Sequence, residues 1–175
     1  MSRFDDCMAW LKEAEGGFSN NQSDHGGATL CGVTQITYDR WRASRRLPLR
    51  PVSLMAQDEE NTIYQEFYFG PARCAQLPAP VDLVMFDAWV NHRPTVSAQF
   101  LQNAVGVDDD GLIGIQTLNA VSQDAELYGA MSIAQNIIDQ RRAFYRRIVE
   151  KDASQAKFLV GWENRMNNLS KWIGA

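Results

Sequence analysis

The chain has 175 residues, 45% of them hydrophobic, and a formal net charge of −4. That supplies one domain with a sizeable core, and the acidic balance speaks against nucleic-acid binding or attraction of the whole molecule to an anionic envelope. Three cysteines (Cys7, Cys31, Cys74) and two histidines (His25, His92) are too scattered for a disulfide framework or a zinc site, so no metal or cofactor is expected.

The first element reads as a helix. Phe4, Met8, Leu11 and Glu15 follow the i, i+4, i+7, i+11 spacing of one face, and Gly16-Gly17 supplies a stop. A carboxyl on that face is disfavoured as an anion by burial and by the negative end of the helix macrodipole. Both push its pKa towards neutrality, where a glutamic acid protonates a leaving group. A solvated glutamate at a fraying helix end has the same local sequence, so the loop that follows decides. From Gly16 to Thr34 it holds glycines, Ser, Asn, Asp and Thr, which is turn chemistry. We read a short, strongly turned β-hairpin there. Asp24 lies nine residues beyond Glu15, and Thr29 five further on. A helix-end acid facing such a hairpin suits glycoside hydrolysis, with a second carboxyl or a water it holds on the opposite face of the sugar. Asp24 would serve equally well as a turn cap, since Asx side chains bond their own backbone.

Helix follows helix beyond the hairpin. Thr34 caps a segment through Trp41, and Ser53 caps another that stops at Gly70-Pro71. Val81 to Val90 is apolar on nearly all sides and should be the central buried helix, closed by Asn91-His92. Asp87 is expected to tie helices together by pairing with an arginine such as Arg141. Asn91 reads either that way or as a cleft wall. Further helices are expected over Thr95–Val105, Leu112–Val121, Ser132–Lys151 (stripe Ile133, Ile137, Phe144, Ile148) and Phe158–Trp172 (Phe158, Trp162, Met166, Leu169). Asp108-Asp109-Asp110-Gly111 fails the EF-hand pattern and reads as a turn before a helix. Two arginine runs, Arg40, Arg42, Arg45, Arg46, Arg50 and Arg141, Arg142, Arg146, Arg147, read as solvated helix faces.

The ordered set Glu15-Gly-Gly-Phe18 … Asp24-His25-Gly-Gly-Ala-Thr29 … Gly32-Val-Thr34-Gln35 resembles the signature of family 108 of the glycoside hydrolases, the lysozyme-like N-acetylmuramidases. The likeness continues through Thr37-Tyr38-x-x-Trp41-Arg42, Ile63-Tyr64, Phe86-Asp87-x-x-Val90-Asn91-His92 and Leu101-Gln102. It ends with Asp110-Gly111-x-x-Gly114-x-x-Thr117-Leu118 and Gly161-Trp162-x-x-Arg165, the mark of that family's peptidoglycan-binding segment. Phe18 stands where Tyr is common, and Arg93-Pro94 follows His92 where the family often has Gly.

The resemblance implies a mainly α, lysozyme-like helical domain with a small β-hairpin lobe after the first helix. It implies Glu15 as catalytic acid, Asp24 and Thr29 as water-holding residues, and Phe18, His25, Asn91 and His92 as substrate contacts. Residues 1–105 would form the catalytic region and residues 106–175 a helical peptidoglycan-binding-type segment packed into the same domain. The substrate would be peptidoglycan glycan strands, cleaved by a monomer. A secretory leader and a membrane span are both missing from the sequence pattern. The expected setting is therefore synthesis in the cytoplasm and action on the wall after release, as for a phage endolysin passing through a holin-type pore.

Overall fold

The computed structural model describes residues 2–15 and 29–175, with only the backbone of Glu15. The expectations for Phe18, Asp24, His25 and the Gly16-Gly17 stop lie outside these residues. The described chain is mainly helical. Helix α1 spans Arg3–Glu15. A hairpin follows, with β1 Thr29–Leu30 antiparallel to β2 Val33–Thr34 and Thr29 opposite Thr34. Helix α2 is Gln35–Ser44, α3 Gln57–Tyr64, α4 Val81–Asn91 and α5 Pro94–Ala104. Helices α6 Ile115–Tyr128, α7 Ala130–Lys151 and α8 Ala156–Ile173 complete the chain.

Local chemistry explains most of these boundaries. The Thr34 side chain accepts from the Thr37 N–H at 3.2 Å and starts α2, as its sequence position suggests. Ser53 does not cap α3. It sits inside a 3₁₀ turn, Val52–Leu54, behind Pro51. Helix α3 starts later because Glu59 reaches back to accept from the Ala56 N–H at 3.0 Å. Past Tyr64 the helix widens into a π turn, Gln65–Phe69, before Gly70. The turn around Asp110 delays α6 to Ile115 and leaves Leu112 exposed. That turn is locked from α5: the Gln102 amide donates to Asp110 Oδ1 at 2.7 Å, and its oxygen accepts from the Gly111 N–H at 2.9 Å. Gly111 has φ +78°, and a Cβ there would lie 2.4 Å from Thr95 Cγ2, so glycine is required.

Helix α4 is the hub. Every residue from Val81 to Trp89 is buried, as its sequence suggests. Helices α1, α5 and α7 pack directly on it, and α6 and α8 flank α7. A buried cluster runs through the described chain from Cys7 on α1 to Met166 and Leu169 on α8. Ile133 and Ile137 line the buried side of α7 together with Ile138 and Tyr145, while Phe144 and Ile148 are partly covered. Phe158 does not carry α8 inwards and is 46% exposed.

The arginine runs are solvated faces only in part. Arg42 is buried and donates to Glu59 at 2.6 Å, Arg50 joins the same carboxylate, and Arg45 pairs with Glu66. Arg141 is fully buried, and Arg142 and Arg146 share Glu163. Arg40, Arg46 and Arg147 are exposed and have no ion pair among the described residues. The runs look alike in sequence because the acids that neutralise them lie on other elements.

Candidate active site

The sequence expectations put the candidate site at the C-terminal end of α1 and the hairpin. The apolar stripe that leads to position 15 is covered as its spacing requires. Met8 and Leu11 are 5% and 1% exposed, and Phe4 is packed at the edge of the core. Two clamps hold this helix against α4. At its start, Arg3 forks onto the buried Asp82, with Nε–Oδ2 2.6 Å and Nη2–Oδ1 2.8 Å. Seven residues on, Trp10 Nε1 donates to Asp87 Oδ1 at 2.8 Å. These two fastenings fix α1 against the bundle from Arg3 to Trp10.

Asp87 belongs to a wider lock. Arg141 donates to its Oδ2 at 2.7 Å, and Arg165 donates to Oδ1 at 2.7 Å. The arginine pairing expected from sequence is therefore present, and a second arginine and an indole join it. Burial alone would favour a protonated carboxyl. The guanidiniums of Arg141 and Arg165, with the Trp10 hydrogen bond, outweigh it and hold Asp87 well below the usual carboxylate range.

Asn91 and His92 close α4. The Asn91 amide is exposed at the surface and donates to the Asp87 carbonyl at 2.8 Å. His92 Nε2 faces the interior, 3.2 Å from Arg141 Nε and 3.1 Å from Tyr145 Oη. Its ring lies edge-on to Phe100 and Phe144 and stacks on Tyr145, which stacks in turn on Trp162. Burial and then the Arg141 charge lower its pKa from 6.5 to about 3, so the imidazole is neutral. Motif residues remote in sequence, Asp87, His92, Trp162 and Arg165, thus meet in one polar-aromatic joint between α4, α7 and α8.

The hairpin is tightly turned. Cys31 and Gly32 have φ of +48° and +80°, the paired left-handed geometry of a two-residue β-turn. Tyr64 from α3 donates its hydroxyl to the Cys31 carbonyl at 2.6 Å and pins that turn. Thr29 lies on β1, opposite Thr34.

One acid near the hairpin was not singled out by sequence reasoning. Glu60, on α3, is 5% exposed, and its Oε1 has no hydrogen-bond partner among the described residues, while Oε2 accepts from Gln57 at 2.8 Å. Burial raises its pKa against the opposing Lys12 charge and Gln57 bond. Glu60 lies one helical turn before Tyr64, whose hydroxyl holds the hairpin turn at Cys31. Helical spacing could have flagged it, since Glu60 shares a face with Ile63 and Tyr64.

A cavity of about 600 Å³ gathers around Arg3, Asp6, Pro80, Leu83 and Trp172. It lies along the Arg3–Ala9 part of α1, away from position 15. A cleft of about 410 Å³ lies closer to the hairpin, between α2 and the π turn. Among the described residues no His, Cys, Asp or Glu side chains cluster as metal ligands, and no helix is long and apolar enough to cross a membrane.

A helical body with one small hairpin after its first helix, and a glutamate position at that helix's end, is the lysozyme-like arrangement of glycoside hydrolases. Comparison with known families narrows this. Residues 8–92 match the family described as Glycosyl hydrolase 108, and residues 96–167 match the Predicted Peptidoglycan domain. The chain thus carries a glycoside hydrolase 108 region in its first half and a peptidoglycan segment in its second, which together mark a peptidoglycan-active glycosidase. Among solved structures it is similar to Brucella abortus SagA, with 28% identity, a TM-score of 0.78, and coverage of 96% of this chain and 91% of that one. No curated protein matches it.

Proposed function

We propose that the protein is an N-acetylmuramidase that hydrolyses the β-1,4 bond between N-acetylmuramic acid and N-acetylglucosamine. The observation that carries this reading is the family match over residues 8–92, which takes in most of α1, the hairpin and α4. Glu15 is the general acid, delivering a proton to the glycosidic oxygen. Asp24 and Thr29 hold the water that attacks the anomeric carbon from the other face, which gives inversion. Inverting carboxyls stand roughly 6.5–9.5 Å apart, leaving room for that water, against roughly 5–5.5 Å in retaining enzymes. Phe18 and His25 line the sugar path from the loop, and Asn91 is the part of the α4 terminus open to substrate. The imidazole Nε2 of His92 is engaged from inside the bundle, so its contribution to substrate is through the shape of that terminus.

Residues 106–175 act in this reading as a wall of the catalytic body rather than a tethered binding module. Their arginines Arg141 and Arg165 hold the same carboxylate as Trp10 on α1. The biological setting we propose is a phage endolysin released by a holin-type pore. Lysis on expression should require a co-expressed pore, and lysis without one would point to another route of export.

The test is digestion of purified peptidoglycan with fragment analysis by mass spectrometry. Wild type should release reducing N-acetylmuramic acid ends, and Glu15→Gln should lose about a thousandfold or more of the rate with the fold intact. Asp24→Asn should cost less. Anhydro-muramoyl ends would reassign the chain to the lytic transglycosylases, and no fragments at all would make it a binding or assisting protein. A retained anomer at first turnover would refute inversion.

A further inference from the structure

The cleft between α2 and the π turn is lined by Ile36, Thr37, Arg40, Glu66, Phe67 and Tyr68. Two links connect it to the hairpin. Thr34, the cross-strand partner of Thr29, shares a 3.0 Å hydroxyl contact with Thr37 on the cleft wall. On the other side Tyr68 packs on Tyr64 with ring centroids 5.1 Å apart, and Tyr64 holds the hairpin turn at Cys31. The cleft therefore adjoins the hairpin through both of its walls.

Its charges are unbalanced. Glu66 is engaged by Arg45 from outside the cleft. Arg40 has no ion pair among the described residues, and its guanidinium lies 5.7 Å from the centroid of the Phe67 ring. That aromatic platform orients the fork without neutralising it. The exposed Ile36 side chain and the Phe67 and Tyr68 rings add an apolar floor. An exposed, unpaired guanidinium over such a floor matches a carboxylate on a short aliphatic carrier, which it would grip with two parallel hydrogen bonds. A π turn opens the side of a helix and is a frequent device at binding sites.

We propose that this cleft is a subsite for the peptide stem of peptidoglycan, with Arg40 pairing a stem carboxylate and Ile36, Phe67 and Tyr68 covering its aliphatic part. The inference rests on the muramidase reading for its choice of substrate, and it makes the enzyme selective for stem-bearing strands.

The experiment measures binding of the full-length protein to insoluble peptidoglycan, native or with its stem carboxyls converted to methylamides by carbodiimide coupling. Released ends are read from the same samples. Wild type should bind the native polymer about tenfold more tightly than the amidated one, the scale of one charge-assisted fork. Arg40→Ala should bind both alike, at the level wild type shows on the amidated polymer, and Arg40→Lys should recover only part of the difference. Arg46→Ala, which removes an exposed arginine outside the cleft, should keep the full dependence on stem carboxyls. Equal sensitivity to amidation in Arg40→Ala and wild type would overturn the proposal, as would failure of wild type to bind native polymer. Carboxyl-dependent binding through Arg40 without released ends would leave the subsite standing and refute the muramidase. Released ends with no Arg40 effect would do the reverse.

Discussion

His92 shows how much a neighbour changes a residue. In sequence it follows the apolar helix end and invites a substrate role. In the fold its Nε2 meets Arg141 and Tyr145, and its pKa falls to about 3 because burial and the guanidinium both oppose a second positive charge. The folded pKa lies below the unfolded value of 6.5, so the unfolded chain takes up the proton first. Stability is therefore full above about 6.5 and declines as pH falls towards 3. Asp87 adds to the decline only at the lower end, as pH drops through the ordinary carboxylate range, because its own folded pKa is depressed. Urea midpoints measured between pH 7 and 4 (about the span of interest) should fall steadily for wild type. His92→Gln should flatten that slope, and an unchanged slope would mean the ring is protonated in the fold.

At the scale of elements, the motif glycines differ in how far the backbone demands them. Gly111 is required, since Thr95 occupies the place of a Cβ. Gly161 is different. It lies inside α8, exposed, with nothing within 4 Å of an added Cβ. An interior helical glycine costs about 1 kcal/mol relative to alanine. Gly161→Ala should therefore raise stability by about that amount in urea unfolding, with lytic rate as the second readout. A stabilised protein with normal rate makes Gly161 a neutral choice, whereas a slower one makes that face of α8 part of substrate approach. The boundaries of α3 and α6 carry a related lesson. Ser53 and Leu112 look like helix starts, yet Glu59 and the Gln102–Asp110 lock move each start three or four residues downstream.

Across the whole molecule, Asp87 is the residue on which four elements depend. It sits on α4, and its carboxylate receives donors from α1, α7 and α8. Removing it would strand Arg141 as a buried unpaired charge, and Arg141 Nη1 already lacks a partner. Asp87→Ala should lower stability by about 3–5 kcal/mol, the usual cost of breaking a buried pair from one side. Asp87→Asn keeps the shape and should cost less. Both are measured by chemical denaturation. A loss below about 1 kcal/mol would mean the arginines find other acceptors.

Periodicity was enough to place α1, the central α4 and the long α7, because a buried face repeats every turn and is visible to anyone reading along the chain. The glutamate at the end of α1 and the Asp-Gly turn were legible for the same local reason: turn and cap chemistry acts over a few residues. The sequence by itself also determined the family, through an ordered set of short motifs. Tertiary structure alone decided which charges are spent and which are free. Arg42, Arg141 and Arg165 look no different from Arg40 in the sequence, yet the first three are consumed by Glu59 and Asp87. An ion pair depends on what lies within a few ångströms in space, and its partner sits up to 79 residues away along the chain.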